Sequence, residues 1–141
     1  MKISLITIGK PKLPGIALLC EEYFSRLQHY SKCEWLVCKN EAEILSKLDA
    51  SDFVVICDER GKQLASTELA SWLQTQQDQA LKKLVFVIGG ADGHSDLLRK
   101  RANLLFSFSK MTLQHEFAFA LLLEQLYRAF TILKGEPYHR A

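Results

Sequence analysis

Two kinds of hydrophobic pattern alternate along the chain. Short runs of apolar residues predict β-strands, and fully apolar runs are typical of parallel strands that are covered on both faces. Stretches with apolar residues every three or four positions predict amphipathic helices. Strands are predicted over 3–8, 34–39, 53–57, 84–88 and 104–108. Helices are predicted over 14–30, over 41–48, after caps at Ser66 and Ser95, and over 116–133.

This alternation predicts a single α/β domain over residues 1–141, with a parallel sheet and helices on both of its faces. In such sheets ligands bind beyond the carboxyl ends of the strands. Candidate functional residues are therefore expected after Ile8, Cys57, Ile88 and Phe108.

Composition narrows the class of protein. The chain has 141 residues, of which 48% are hydrophobic and 24% are charged, which is typical of a globular domain. The apolar stretch 117–123 is far shorter than the ~20 residues that span a bilayer. The amino terminus lacks the pattern of a secretion signal. We therefore expect a cytoplasmic protein that does not cross a membrane.

The four cysteines are expected to be free thiols. Cys20, Cys33, Cys38 and Cys57 form no CxxC pair, and no histidine stands at zinc-ligand spacing from two of them. No metal site is predicted.

Charge is distributed unevenly between the two halves of the chain. The net charge is +2, but residues 71–141 hold 9 basic and 6 acidic residues, together with three of the four histidines. This bias is compatible with a phosphate-rich partner, and it is equally compatible with ordinary surface charge.

A glycine-rich loop follows the strand predicted over 84–88. Gly89, Gly90 and Gly93 stand within five residues, just before a helix. Glycines let a backbone approach a ligand closely, and the start of a helix offers unpaired N–H groups. The loop therefore suits a nucleotide-like ligand, although a tight strand-to-helix turn would need the same glycines.

Three other segments contain polar groups that can take part in chemistry. A charged cluster over 58–62 follows one buried strand, and a mixed loop over 109–115 follows another. The tail ends in Tyr138, His139 and Arg140, side chains that stack on bases, transfer protons and bind phosphates. The last helix is apolar nearly all round, which indicates either a subunit interface or packing within one chain.

Four motifs in order resemble the RlmH family of the SPOUT superfamily. They are the glycine segment 87–93, the segment 107–115 that ends in a histidine, the helix segment 124–130, and the terminal Pro137-Tyr138-His139-Arg140. The resemblance covers essentially the whole chain. It implies a homodimer that methylates N-3 of a pseudouridine in large-subunit ribosomal RNA, on the assembled ribosome, using S-adenosylmethionine. It also implies a deep trefoil knot, a rarity that residue patterns do not predict.

The resemblance also implies roles for individual residues. His139 is the candidate proton acceptor, Arg140 would stabilise developing negative charge or hold a phosphate, and Tyr138 would stack on the base or pack the tail down. His115 and Arg128 would contact RNA or the subunit interface. The cofactor would be bound by Cys57, Gly90, Ser109, Lys110, Met111, Thr112, Leu113 and Gln114.

Two positions depart from the family pattern. Gln114 stands where members commonly have proline, which predicts a less preorganised loop. Phe119 stands where members commonly have arginine. These departures leave open an alternative, in which the chain is a non-catalytic module that binds a nucleotide or RNA. A structural dimer with incidental histidines is a third reading.

Overall fold

The computed structural model describes residues 1–140, so Ala141 of the predicted domain lies outside the described residues. Strands and helices alternate along this part of the chain. In chain order they are β1 (Lys2–Ile8), α1 (Pro14–Leu27), β2 (Lys32–Cys38), α2 (Glu41–Ser46), β3 (Phe53–Gln63), α3 (Ser66–Asp78), β4 (Lys83–Ile88), α4 (Asp96–Arg101), β5 (Leu104–Ser107) and α5 (His115–Leu133).

The strands form one parallel sheet in the order β2-β1-β4-β3-β5. Side chains of β4 alternate between its two faces, as the pleat of a strand requires. Leu84, Phe86 and Ile88 pack under α1, α3 and α5, whereas Val85 and Val87 pack with residues of α2 and α4. The predicted parallel sheet with helices on both faces is therefore confirmed.

Several predicted boundaries were wrong, for local reasons. Helix α1 ends at Leu27, because residues 28–30 form tighter turns with i→i−3 hydrogen bonds. The cap of α3 is Ala65 and not Ser66: the Glu68 carboxylate accepts the Ala65 N–H at 2.8 Å. The Ser66 hydroxyl instead donates to Gln125 Oε1 of α5 at 2.7 Å. Ser95 does cap α4, through Leu98 N.

Strand β3 departs most from its prediction, because it continues six residues beyond Cys57. Cys57 and Lys62 both align with Phe106 of β5, so residues 58–61 bulge out of the ladder between them. Gly61 makes this possible. A Cβ there would lie 2.5 Å from the carbonyl carbon of Leu105, which leaves room for glycine alone.

Helix α5 is anchored at its start to the beginning of α1. The buried Glu116 carboxylate accepts the backbone N–H groups of Lys12 and Leu13, at 2.9 and 3.0 Å. Among residues 1–140, no helix combines the length and the hydropathy needed to cross a membrane.

Candidate active site

A cavity of about 550 Å³ lies where β3, β4 and β5 reach their carboxyl ends, beside the first turn of α5. Its walls are residues 57–60, 88–94, 107–109 and 111–115, together with Arg99 and Ala118. Strand ends at one edge of a parallel sheet are where such folds bind ligands. The strand-end segments predicted from the sequence after β3, β4 and β5 therefore meet in a single site.

The glycine loop forms one wall through its backbone. Residues 90–93 make a tight turn in which the Gly93 N–H donates to the Gly90 carbonyl at 3.1 Å, with Gly93 at φ +76°. A Cβ on Gly89 would lie 2.6 Å from the ring of His94, so that ring packs directly on the backbone. Gly90 is less constrained, since a Cβ there would meet Ile8 at an ordinary 3.5 Å.

His94 joins the ends of two neighbouring strands. Its Nε2 hydrogen-bonds to the carbonyl oxygen of Cys57 at 2.9 Å, while the ring covers Gly89 at the end of β4. Because a carbonyl only accepts, Nε2 carries the proton. The ring's Nδ1 is buried and has no partner among residues 1–140. Burial raises the pKa of the Cys57 thiol, so this side chain remains a neutral part of the wall.

The bulge of β3 is held by a nearly buried ion pair. The Asp58 side chain is only 4% exposed and contacts Arg99 Nε at 2.8 Å; it also accepts the Arg60 N–H at 2.8 Å. Burial alone would raise the pKa of Asp58, but these donors together hold it below its ordinary value. Next to it, Glu59 accepts the hydroxyl of Thr112, which links the bulge to the loop after β5.

The loop after β5 is organised by its serines. The Ser107 hydroxyl donates to the Ser109 carbonyl at 2.7 Å, and the Met111 N–H donates to Ser109 Oγ at 3.0 Å. Leu113 adds an apolar surface to the cavity. Lys110 differs from its neighbours: it is exposed and does not line the cavity.

The two departures from the family pattern have structural explanations. Gln114 is the N-cap of α5, because its Oε1 accepts the N–H groups of Glu116 and Phe117 at 2.8 and 3.1 Å. The loop therefore gains an anchor where proline would have restricted φ. Phe119 is 1% exposed and lies 4.9 Å from the ring of Trp35, so it belongs to the core.

The C-terminal tail lies against α1 and α5 and does not reach the cavity of its own chain. None of residues 138–140 lines that cavity. The Tyr138 hydroxyl is 3.0 Å from that of Tyr23, and its ring packs edge-on against Tyr127 at 4.7 Å. Arg140 is exposed. The predicted cofactor residues other than Lys110 thus gather around the cavity, whereas the predicted catalytic residues lie apart from it.

Arg128 holds the tail at its histidine. Its Nε donates to Glu124 Oε1 at 2.8 Å, and its guanidinium lies 4.8 Å from the centre of the Tyr138 ring. A further guanidinium nitrogen is 3.1 Å from His139 Nδ1. Because a guanidinium only donates, Nδ1 accepts this bond and the ring proton is on Nε2, which is buried without a partner in the described chain.

Two of the residues that form the cavity, Asp58 and Arg60, were expected only as members of the charged cluster 58–62 that follows a buried strand. Sequence reasoning did not select His94 or Arg99. No local pattern indicated Arg99, because its partner Asp58 is 41 residues away. Within residues 1–140, no group of three His, Cys, Asp or Glu side chains is placed to hold a metal ion.

Comparison with known proteins gives consistent family matches. Residues 1–139 match the family model described as predicted SPOUT methyltransferase. The chain is 43% identical to a protein of Christiangramia forsetii and 38% identical to one of Thermus thermophilus, with 99% of each chain covered in both cases. A relative from Koribacter versatilis is 43% identical, with 99% of this chain and 98% of the relative covered. Each of these relatives is named ribosomal RNA large subunit methyltransferase H.

A solved structure supports the same fold. A probable methylase family protein from Haemophilus influenzae superposes with a TM-score of 0.61, covering 99% of this chain and 70% of that chain. The sequence identity is 12%, so the likeness concerns the fold alone.

Proposed function

The chain belongs to the SPOUT methyltransferase family, and from that premise we propose that this enzyme methylates large-subunit ribosomal RNA with S-adenosylmethionine. The acceptor atom we propose is N-3 of a pseudouridine on the assembled ribosome. The main supporting observation is the cavity at the strand ends, into which the segments 57–60, 88–94 and 107–115 converge.

Several features of the cavity support S-adenosylmethionine as its ligand. A volume of about 550 Å³ is ample for a nucleoside with an amino-acid side chain. Gly90 lines the cavity without a side chain, and the loop 109–114 offers backbone polar groups beside the apolar Leu113. We propose that this loop binds the adenine and that the unpartnered Nδ1 of His94 accepts a hydrogen bond from the cofactor.

When bound, the cofactor supplies a methyl group activated on a sulfonium. The residues of the chain then position the acceptor base and remove its proton. We propose that His139 accepts the proton of N-3, that Arg140 stabilises the resulting anion, and that Tyr138 stacks on the base. In the docked tail, neither ring nitrogen of His139 is free to accept a proton. His139 must therefore leave Arg128 before it acts as the base.

A homodimer would bring tail and cavity together. Among residues 1–140, six of the eight large apolar side chains that are exposed belong to α1, α5 or the loops that lead into them. Such a concentration is typical of a surface that a partner covers. We propose that two chains pair through this surface, so that the tail of one reaches the cavity of the other. The six residues are Leu13, Leu18, Leu19, Met111, Phe117 and Leu121.

The alternative, a non-catalytic binding module, now has less support. It depended on Gln114 and Phe119, and these residues cap a helix and fill the core. An enzyme that acts on ribosomes would work in the cytoplasm, which is the location we propose.

Two measurements test the proposed function. Calorimetric titration with S-adenosylhomocysteine should give micromolar binding, near one per chain, if each cavity holds a cofactor independently. Transfer of a labelled methyl group to ribosomes that lack the modification should follow. Binding without transfer would favour the binding module, and absence of both would contradict an assembled cofactor site.

A further inference from the structure

The bulge of β3 carries an arginine to which the proposed mechanism gives no role. Residues 58–61 leave the ladder with β5, and Arg60 lies on them at the wall of the cavity. We propose that Arg60 binds a backbone phosphate of the RNA substrate at the mouth of this cavity. Since this role rests on the proposed function, the experiment below is designed to separate the two.

The conformation of the bulge is fixed from both sides. Asp58, almost buried, accepts the Arg60 N–H at 2.8 Å while it pairs with Arg99. On the other side, Gly61 lies so close to the backbone of Leu105 that no Cβ fits. These contacts place the backbone of Arg60 without using its guanidinium, which remains available for a ligand.

Arg60 is the exposed cation of the cavity wall that has no carboxylate partner within residues 1–140. Arg99, the other guanidinium in the wall, is bound to Asp58 and Asp96. The Arg60 side chain is exposed and forms no ion pair in the described part of the chain. A guanidinium with its donors free binds a phosphate through two parallel hydrogen bonds.

The charged groups around Arg60 favour a polyanion as its ligand over a small carboxylate. Lys62 on β3 and Lys110 on the neighbouring loop are also exposed and have no ion pair among residues 1–140. The hydrogen bond between Thr112 and Glu59 holds these two segments side by side. Acidic groups are present as well, but Glu59 is engaged by that hydroxyl and Asp92 lies on the opposite loop. RNA offers successive phosphates to such a group of cations.

The experiment compares Arg60→Gln with wild type in methylation of unmodified ribosomes at several KCl concentrations. The KM for ribosomes should rise roughly tenfold, and the slope of log KM against log salt should fall by about 1. Binding of S-adenosylhomocysteine should stay within about twofold of wild type. Arg60→Lys should recover part of the loss, because it restores the charge without the paired donors.

Lys82→Gln is the matched control. Lys82 is also exposed and has no ion pair in the described chain, but it precedes β4, at the amino-terminal ends of the strands and so opposite the cavity. Its KM and salt slope should equal those of wild type. An unchanged KM and slope for Arg60→Gln would overturn the phosphate role. Weakened cofactor binding would also overturn it, and would assign Arg60 to the carboxylate of the cofactor.

If the proposed function is wrong, the same experiment gives a different result. In that case wild type itself would transfer no methyl group to ribosomes. Equilibrium binding of wild type and Arg60→Gln to large-subunit RNA would still decide the role of Arg60. Equal affinity and equal salt dependence would contradict it, whereas weaker binding with a lower slope would support it.

Discussion

The cavity and the C-terminal tail are proposed parts of one active site, yet the chain holds them by different means. The cavity is held by polar contacts that β3 makes with α4 and with the loop before it, namely the Asp58–Arg99 ion pair and the bond from His94 to the Cys57 carbonyl. The tail rests on aromatic side chains of α1 and α5, among them Tyr23 and Tyr127.

We expect the two regions to lose stability at opposite extremes of pH. The pKa of Asp58 is lowered, so its contribution to stability is present above its unfolded pKa of about 4 and is lost as pH falls through the lower folded value. Near the tail, a hydrogen bond to Glu136 raises the pKa of Tyr30 to about 12. That contribution is present below pH ~10 and is lost as pH rises towards 12.

This difference separates two tasks of the proposed site: the cavity binds the cofactor, and the tail acts on the acceptor base. The walls proposed to bind the cofactor come from a single chain, in which neighbouring strand ends and the loops after them form the cavity. The groups proposed to handle the acceptor base lie outside that cavity, so they must move or come from a second chain. The predictions that follow test this division, beginning with the largest expected effect.

Removing the tail's polar groups should abolish turnover but spare cofactor binding. For His139→Ala combined with Arg140→Ala we expect methylation to fall by about 10²–10⁴-fold, the range of a lost acid–base group. Affinity for S-adenosylhomocysteine should change by no more than a few-fold, since residues 138–140 do not line the cavity. Single-turnover transfer to ribosomes and calorimetry measure the two effects. Transfer at the wild-type rate would remove the tail from catalysis.

A larger side chain on the glycine loop should instead weaken cofactor binding. Gly90→Val should weaken cofactor binding at least roughly tenfold while the fold persists, because the backbone at Gly90 is not left-handed and a Cβ finds ordinary space there. Calorimetry gives the affinity, and thermal unfolding checks the fold. Gly15→Val is the control, since a Cβ on Gly15 of α1 would meet nothing within 4 Å and Gly15 does not line the cavity. Equal affinity for wild type and Gly90→Val would exclude this loop from the site.

Combining the two defects tests whether the site is shared between chains. At a cofactor concentration well below the Kd of Gly90→Val, neither Gly90→Val nor the tail double variant should methylate ribosomes appreciably by itself. Co-expressed in equal amounts, they should assemble by chance and recover about one quarter of wild-type activity, because half of the dimers would contain one intact cavity with one intact tail. Transfer by the co-purified mixture measures this recovery. No recovery, with heterodimers demonstrated by two affinity tags, would mean that each tail serves its own cavity.

Much of this arrangement could be predicted from the sequence. Apolar runs such as 84–88 identify central strands, and the glycines that follow identify the strand end where a ligand binds. The cavity's location therefore follows from pattern alone. The roles proposed for the tail came from resemblance, because its composition is equally typical of a disordered end.

Two features could not be predicted, since they depend on contacts between distant residues. The polar residues 58–63 have the composition of a loop, yet they continue β3, because Gly61 fits against Leu105 and Asp58 meets Arg99. The docking of the tail depends on Tyr138 meeting Tyr23, which is 115 residues away in the chain. Local patterns contain no information about either pairing.

The smallest expected effect concerns the ion pair beneath the cavity. Asp58→Asn keeps the shape of the side chain but removes its charge from Arg99, so we expect a loss of about 1 kcal/mol in the free energy of unfolding at neutral pH. Chemical denaturation at several pH values measures it. The difference from wild type should shrink as pH falls below about 4, where the unfolded chain takes up a proton at Asp58, and should be lost as pH passes through the lower folded pKa.

Asp96→Asn supplies the control for this last comparison, because both carboxylates pair with the same arginine. Asp96 meets Arg99 at 3.3 Å, but its side chain is 88% exposed, so solvent screens the charge and the substitution should change stability by less than about 0.5 kcal/mol. Equal effects of the two substitutions would mean that burial adds nothing at Asp58. A larger and acid-sensitive effect at Asp58 alone would establish that charge holds the cavity wall, in contrast to the aromatic packing that holds the tail.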